Sequence, residues 1–252
     1  MSVQGEGPSN PPIAFVGEAP GDNEIKEGRP FVGGAGKVLD GMLQEAGIDR
    51  AQCYVTNILK DQPDSTATTS EARNHFGALY LDTKRSKPSE RLIQAWANLD
   101  DECRTVGPRV IVALGAEPLR WAVQHQGISN WRGSILCSAA IPEALVVPTY
   151  HPAAVMRQWQ WRPVTVFDLK RARSLSEAPG SFKHTERVSE VIRDPIGAVE
   201  AIQGLQGAFP VAFDIEVECQ QVQSIALARS GERALVIPFW WGERGSTWGL
   251  EA

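Results

Sequence analysis

The chain has 252 residues, 42% of them hydrophobic and 22% charged, enough for one large domain or for a medium domain with a smaller unit. Its net charge of −5 excludes a protein that coats nucleic acid over its whole surface, but leaves room for a local basic groove. No apolar run approaches the roughly 18–20 residues of a membrane helix, and Cys53, Cys103, Cys137 and Cys219 form no CxxC pair, which argues against a zinc knuckle or a disulfide framework.

In chain order, the polar, Gly- and Pro-rich start (MSVQGEGPSNPP) lacks a secretory pattern and predicts a flexible lead-in over residues 1–12. The expected compartment is the cytoplasm, or the interior of a host cell. Ile13–Val16 reads as a buried strand running into Gly17-Glu18-Ala19-Pro20-Gly21. Val38, Leu39, Met42, Leu43 and Ala46 recur at helical spacing and predict a helix over Ala35–Gly47. Cys53–Leu59 is strand-like, residues 61–88 read as a long polar loop, and Ser89–Val106 as a helix leading into the strand Val110–Leu114. A short helix over Glu117–Gln124, a β-hairpin arm over 131–137, a strand over Ala144–Pro148 and a closing helix over Val164–Leu175 follow. Strands alternating with helices predict an α/β fold, an open and mostly parallel sheet flanked by helices. In such sheets the site lies beyond the carboxyl ends of the strands, where Glu18, Asn57 and His151 all stand.

The loop GEAPGDNE followed by GRPFVG sets two carboxylates, Glu18 and Glu24, among glycines and prolines. Such a loop can orient and polarise a water; a solvated loop with acids favoured by a helix dipole explains it equally well. Gly33-Gly34-Ala35-Gly36-Lys37 is not a nucleoside-triphosphate loop, because Phe31 and Val38 replace the Gly and the Ser/Thr that motif needs. Lys37 can still meet a DNA phosphate at the helix start.

GEAPGDNE…GRPFVGGAGKVLDGML, YVTNILK, RVIVALG and YHPAAVMR, in this order over about residues 13–175, closely resemble the uracil-DNA glycosylase superfamily, nearest its iron–sulfur class. The resemblance implies an enzyme of DNA base-excision repair acting on uracil-containing DNA. It implies Phe31 stacked on the uracil, Asn57 pairing with its edge, and Ala19 and Gly21 beside the base. It implies His151 donating to the uracil oxygen, and Glu18, with Glu24 as the alternative, handling the water. Val155 or Met156 would wedge into the duplex and Arg157 would contact phosphate. The iron–sulfur class also needs four cysteines. Residues 1–12 hold none, Asp61 stands where the third is expected, and the fourth position falls near Gln94, so no cluster is expected. A related subgroup carries a basic loop with a histidine that captures the sugar. Lys84-Arg85-Ser86-Lys87 has no such histidine, His75 lies outside the pattern, and a solvated charge run is expected there.

A composition break near 176–184 predicts a linker over 179–193, after a domain over 13–178. Beyond it, Pro195–Leu205 reads as a helix, and Phe209–Ile215, Val222–Ala228 and Arg233–Phe239 as strands. Phe213-Asp214-Ile215-Glu216 resembles the first motif of ribonuclease H-like 3′–5′ exonucleases joined to family A polymerases, and implies Asp214 and Glu216 as ligands of a divalent metal. The segment 194–252 is expected to be a partial, nuclease-inactive module, with a DNA polymerase module in the same or a longer chain as its partner, as in phage fusions. A non-catalytic uracil- or DNA-binding module is the competing reading of the whole, and a nuclease-active second half the third.

Overall fold

The computed structural model describes residues 2–62, 79–82, 84–178, 188–207, 211–218, 221–228 and 233–238. His75 and Cys219 lie outside them. The chain divides into two compact units, Met1–Phe182 and Lys183–Ala252.

In the first unit, β1 (Ile13–Gly17), β2 (Tyr54–Asn57), β3 (Val110–Leu114) and β5 (Leu145–Thr149) run parallel, and β4 (Leu136–Cys137) pairs antiparallel with β5. The spatial order is β2-β1-β3-β5-β4. The strands are almost continuously apolar because both faces are covered, as parallel sheets require. One face carries Phe15, Val55, Val112 and Val147 against α2 (Gly34–Ala46) and α7 (Arg162–Glu177). The other carries Val16, Ile111 and Val146 against α3 (Glu90–Val106) and α4 (Ala116–Val123). Ser89 caps α3 by accepting from the Leu92 N–H. The chain leaves β1 toward β2 on one side and reaches β3 on the other, so the order reverses beside β1, where α/β sheets open a crevice.

Three sequence expectations change. Residues 2–12 are not a free lead-in: Val3 is buried, its N–H donates to the Lys60 carbonyl, and Glu6 bridges Val55, covering the open edge of β2. The 131–137 arm is not a hairpin; α5 (Ile128–Trp131) precedes the two-residue β4, because Gly133 turns the chain to donate to the Pro148 carbonyl. A short helix, α1 (Asp22–Glu27), occupies part of the stretch read as a loop after β1, and a second, α6 (Pro152–Arg157), follows β5.

The second unit is a sheet of order β6-β9-β8-β7: β6 (Val188–Val191), β7 (Ala212–Glu218), β8 (Gln221–Ala228) and β9 (Arg233–Pro238). β7, β8 and β9 form an antiparallel meander, and β6 joins β9 in parallel. α8 (Pro195–Gln203), capped by Asp194 on the Gly197 N–H, connects β6 to β7. β6 falls inside the stretch that composition assigned to a linker; its partner β9 is remote in sequence, so local composition carries no sign of it.

Candidate active site

The carboxyl ends of β1, β2, β3 and β5 meet at one place. β1 ends in Gly17, and a Cβ there would stand 2.4 Å from Asn57 Oδ1 and 2.4 Å from Phe31 Cζ. Glycine is therefore what allows the Asn57 amide and the Phe31 ring to close over the strand end. Asn57 is 2% exposed, and its Oδ1 has no hydrogen-bond partner among the described residues. A buried acceptor left so costs about 1–3 kcal/mol, an outlay that points to a ligand.

Phe31 sits with φ 53°, a left-handed backbone that a bulky residue rarely adopts. The fold over-determines it. Arg50 donates to the carbonyls of Pro30 (2.9 Å) and Phe31 (3.0 Å), and Gly36 leaves room for the Phe31 carbonyl, which a Cβ would meet at 1.9 Å. No sequence pattern signals this role of Arg50, since the carbonyls it holds are 19 and 20 residues away.

Glu18 and Glu24 have different surroundings. Glu24 accepts from the backbone N–H groups of Gly21 (3.0 Å), Val32 (3.0 Å) and Gly33 (2.7 Å), tying the β1–α1 loop to the start of α2. Gly21, whose N–H is taken up this way, lends the site its loop geometry, and Ala19 packs against the α3/α4 core. Glu18 lies over Gly115 at the end of β3, its Oε1 3.0 Å from where a Gly115 Cβ would stand, and accepts from the Glu117 N–H. Burial, then the nearby Glu117 carboxylate, push the Glu18 carboxyl up to about 7, against the pull of Arg85 and Arg157. It thus titrates where a general base operates.

His151 follows β5 and caps α6: its Nδ1 accepts from the Ala153 N–H at 3.1 Å. That bond places the proton on Nε2. Burial, with a smaller push from Arg157, lowers its pKa to about 4, so at neutral pH it is an uncharged imidazole with one donor, Nε2–H. Its ring centroid is 5.8 Å from that of Phe31. The His151 Cβ and Glu18 Oε1 flank the same Gly115. The carboxylate, amide and neutral donor are thus brought together from the ends of β1, β2 and β5, and the stacking ring from the turn ahead of α2.

A model of the uracil DNA glycosylase superfamily matches residues 4–173. The chain belongs to this superfamily. Type-4 uracil-DNA glycosylase of Sulfurisphaera tokodaii is 34% identical over 188 residues, 72% of this chain and 77% of that protein. The Thermotoga maritima protein of the same name is 32% identical over 190 residues, covering 71% and 84%. A DNA polymerase of Bacillus phage SP01 is 24% identical over 221 residues, 85% of this chain but 22% of that protein.

Among the remaining expected residues of this glycosylase fold, Met156 is 49% exposed and lays its methyl over Gly34 at the start of α2. Val155 is fully buried in the α2/α7 core, so it is not available to DNA: the phase of α6 turns it inward and Met156 outward. Arg157 and Lys37 are exposed. Arg85 is not part of a solvated charge run; it pairs with buried Glu117 at 2.9 Å, a pair 32 residues apart that the sequence pattern missed.

Among the described residues the cysteines do not fit an iron–sulfur cluster. Cys53 and Cys103 lie in the cores on opposite faces of the sheet, and burial pushes each thiol up to about 12, far from the thiolate a cluster needs. Asp61 pairs with Arg91, and Gln94 with Asn98. No group of three or more His, Cys, Asp or Glu among the described residues could hold a metal. In the second unit Asp214 and Glu216 are exposed on β7, opposite Ala226 and Ser224 of β8, and belong to no group of three or more His, Cys, Asp or Glu among the described residues that could hold a metal.

Proposed function

We propose that the first unit hydrolyses the N-glycosidic bond of uracil in DNA and leaves an abasic site. The observation that carries this reading is the buried, unpartnered Asn57 Oδ1 set against the Phe31 ring over Gly17. Flipped uracil stacks on Phe31, gives its N3–H to Asn57 Oδ1, and takes the amide N–H at O4. Cytosine offers the reverse pattern and leaves the amide unpaired. As the C1′–N1 bond breaks, its electron pair leaves with the base. The growing charge on O2 meets the His151 Nε2–H, a donor worth about 3 kcal/mol when preorganised. Water adds its oxygen to C1′ and passes its proton to Glu18, which also faces the cationic sugar. Glu24, with three backbone N–H groups to satisfy, holds the loop rather than the water. Met156 is the wedge, and Lys37 and Arg157 meet phosphates.

The chain is further read as a DNA repair protein of the cytoplasm; no described helix is long and apolar enough to cross a membrane. The second unit is read as an exonuclease-like piece working beside a polymerase. The match to the phage polymerase supports this, because 85% of the chain exceeds the 182 residues of the first unit and must enter the second. A uracil-containing oligonucleotide treated with alkali tests the glycosylase. Wild type should give strand breaks, and Glu18→Gln or His151→Ala should give at least about 100-fold fewer per unit time. Tight binding without abasic product would instead establish a non-catalytic module. Trimming of 3′ ends that needs metal and Asp214 would move the activity to the second unit.

A further inference from the structure

Behind Glu18 stands a buried acid with no part in the scheme above. Glu117 is the second residue of α4, its side chain 6% exposed. Its N–H donates to Glu18, and its carboxylate takes two bonds from the segment ahead of α3: Arg85 Nη1 on Oε1 at 2.9 Å and the Tyr80 hydroxyl on Oε2 at 2.7 Å. Arg120, one turn along α4, locks this segment by donating to the Arg85 carbonyl, with its guanidinium 4.8 Å from the Tyr80 ring centroid. Arg85 itself is held with φ 53°. Glu18 is half-buried, and the neighbouring Glu117 carboxylate disfavours its ionised form. Among the described residues, the charged groups acting on Glu18 are Glu117 from α4, Arg85 from this segment and Arg157 from α6, with neutral His151 following β5.

We propose that Arg85 is a positioning residue for the reaction: clamped to Glu117, it supplies the positive charge that lets Glu18 stand as a carboxylate beside a buried acid. The inference rests on the glycosylase reading of Glu18. It assigns Arg85 a task at the protein's own acid rather than at the DNA backbone.

The test is the pH profile of single-turnover uracil release. Arg85→Met should move the acid limb to higher pH and Glu117→Gln to lower pH, each by at least about half a pH unit, or about threefold in rate on the slope. Arg85→Lys should return the limb toward the wild-type position. The double variant removes both charges, leaves no unpaired buried acid, and should lie between the single variants, which keeps the test open if Arg85→Met does not fold. An Arg85 that merely holds the segment would slow release equally at every pH; unmoved limbs, or limbs moving in the same direction, overturn the proposal. Should wild type release no uracil, the glycosylase reading fails. A carbon-13 titration of the Glu18 carboxyl then decides the charge coupling alone, supported by opposite shifts in the two single variants and overturned by none.

Discussion

Replacing Glu18 with glutamine should stabilise the protein at pH 8 while removing its activity. Glutamine keeps the shape and an acceptor for the Glu117 N–H, and deletes only the charge. The fold raises the Glu18 carboxyl from 4.5 to about 7, so it disfavours the anion. At about 1.4 kcal/mol per pH unit, the penalty approaches about 3 kcal/mol. For an acid whose pKa rises on folding, the favourable contribution is present below the unfolded value of 4.5 and is lost as pH rises to about 7. Glu18→Gln should therefore match wild type near pH 4.5 and gain up to about 3 kcal/mol by pH 8. His151 works the other way. Its lowered pKa gives stability above 6.5 that is lost as pH falls toward 4, but this is common to both proteins and cancels in their difference. Calorimetric melts of the pair at pH 4.5, 6 and 8 read that difference. A gap that does not grow with pH, or a variant less stable than wild type at pH 8, would refute the electrostatic account of the site.

Other outcomes follow from the same geometry. Gly17→Ala puts a methyl within 2.4 Å of both Asn57 Oδ1 and the Phe31 ring, and should lower uracil release at least about 100-fold in single-turnover kinetics. Glu24→Ala removes the acceptor of three backbone N–H groups and should cost about 2–4 kcal/mol by urea denaturation, a stability loss that Glu18→Gln does not share. Val155→Ala should destabilise by about 1–3 kcal/mol with DNA affinity kept, whereas Met156→Ala should weaken binding to uracil-containing duplex at unchanged stability. The rate of uracil release should fall as pH drops through about 7 and show no separate histidine step near 6.5, because His151 stays neutral down to about 4.

The convergence of Glu18, Asn57 and His151 is legible because each ends or follows a strand, and parallel strands bring their carboxyl ends together whatever their distance in sequence. Choosing between Glu18 and Glu24 is not. In sequence both acids fall in one glycine-rich stretch, and only the positions of three backbone N–H groups separate the loop-holding acid from the one over Gly115. Val155 and Met156 are neighbours in sequence, and the phase of a six-residue helix decides which is buried. The Arg85–Glu117 pair joins a basic run, which reads as surface, to a helix start, where an acid is ordinary. Each partner has a bland explanation until the two are seen together. Residues 2–12 and β6 escape a reading of composition for a related reason: their bonding partners, β2 and β9, are far along the chain, and composition reports only what is local.

The most direct measurement is single-turnover release of free base from duplexes that differ only in carrying uracil or cytosine at one position, with wild type and Asn57→Ala compared. The account predicts free uracil and an abasic site from wild type, no cytosine, and a loss of at least about 100-fold in Asn57→Ala without loss of thermal stability. Uracil release by Asn57→Ala at the wild-type rate, or no release by wild type at any pH between 6 and 9, would contradict it.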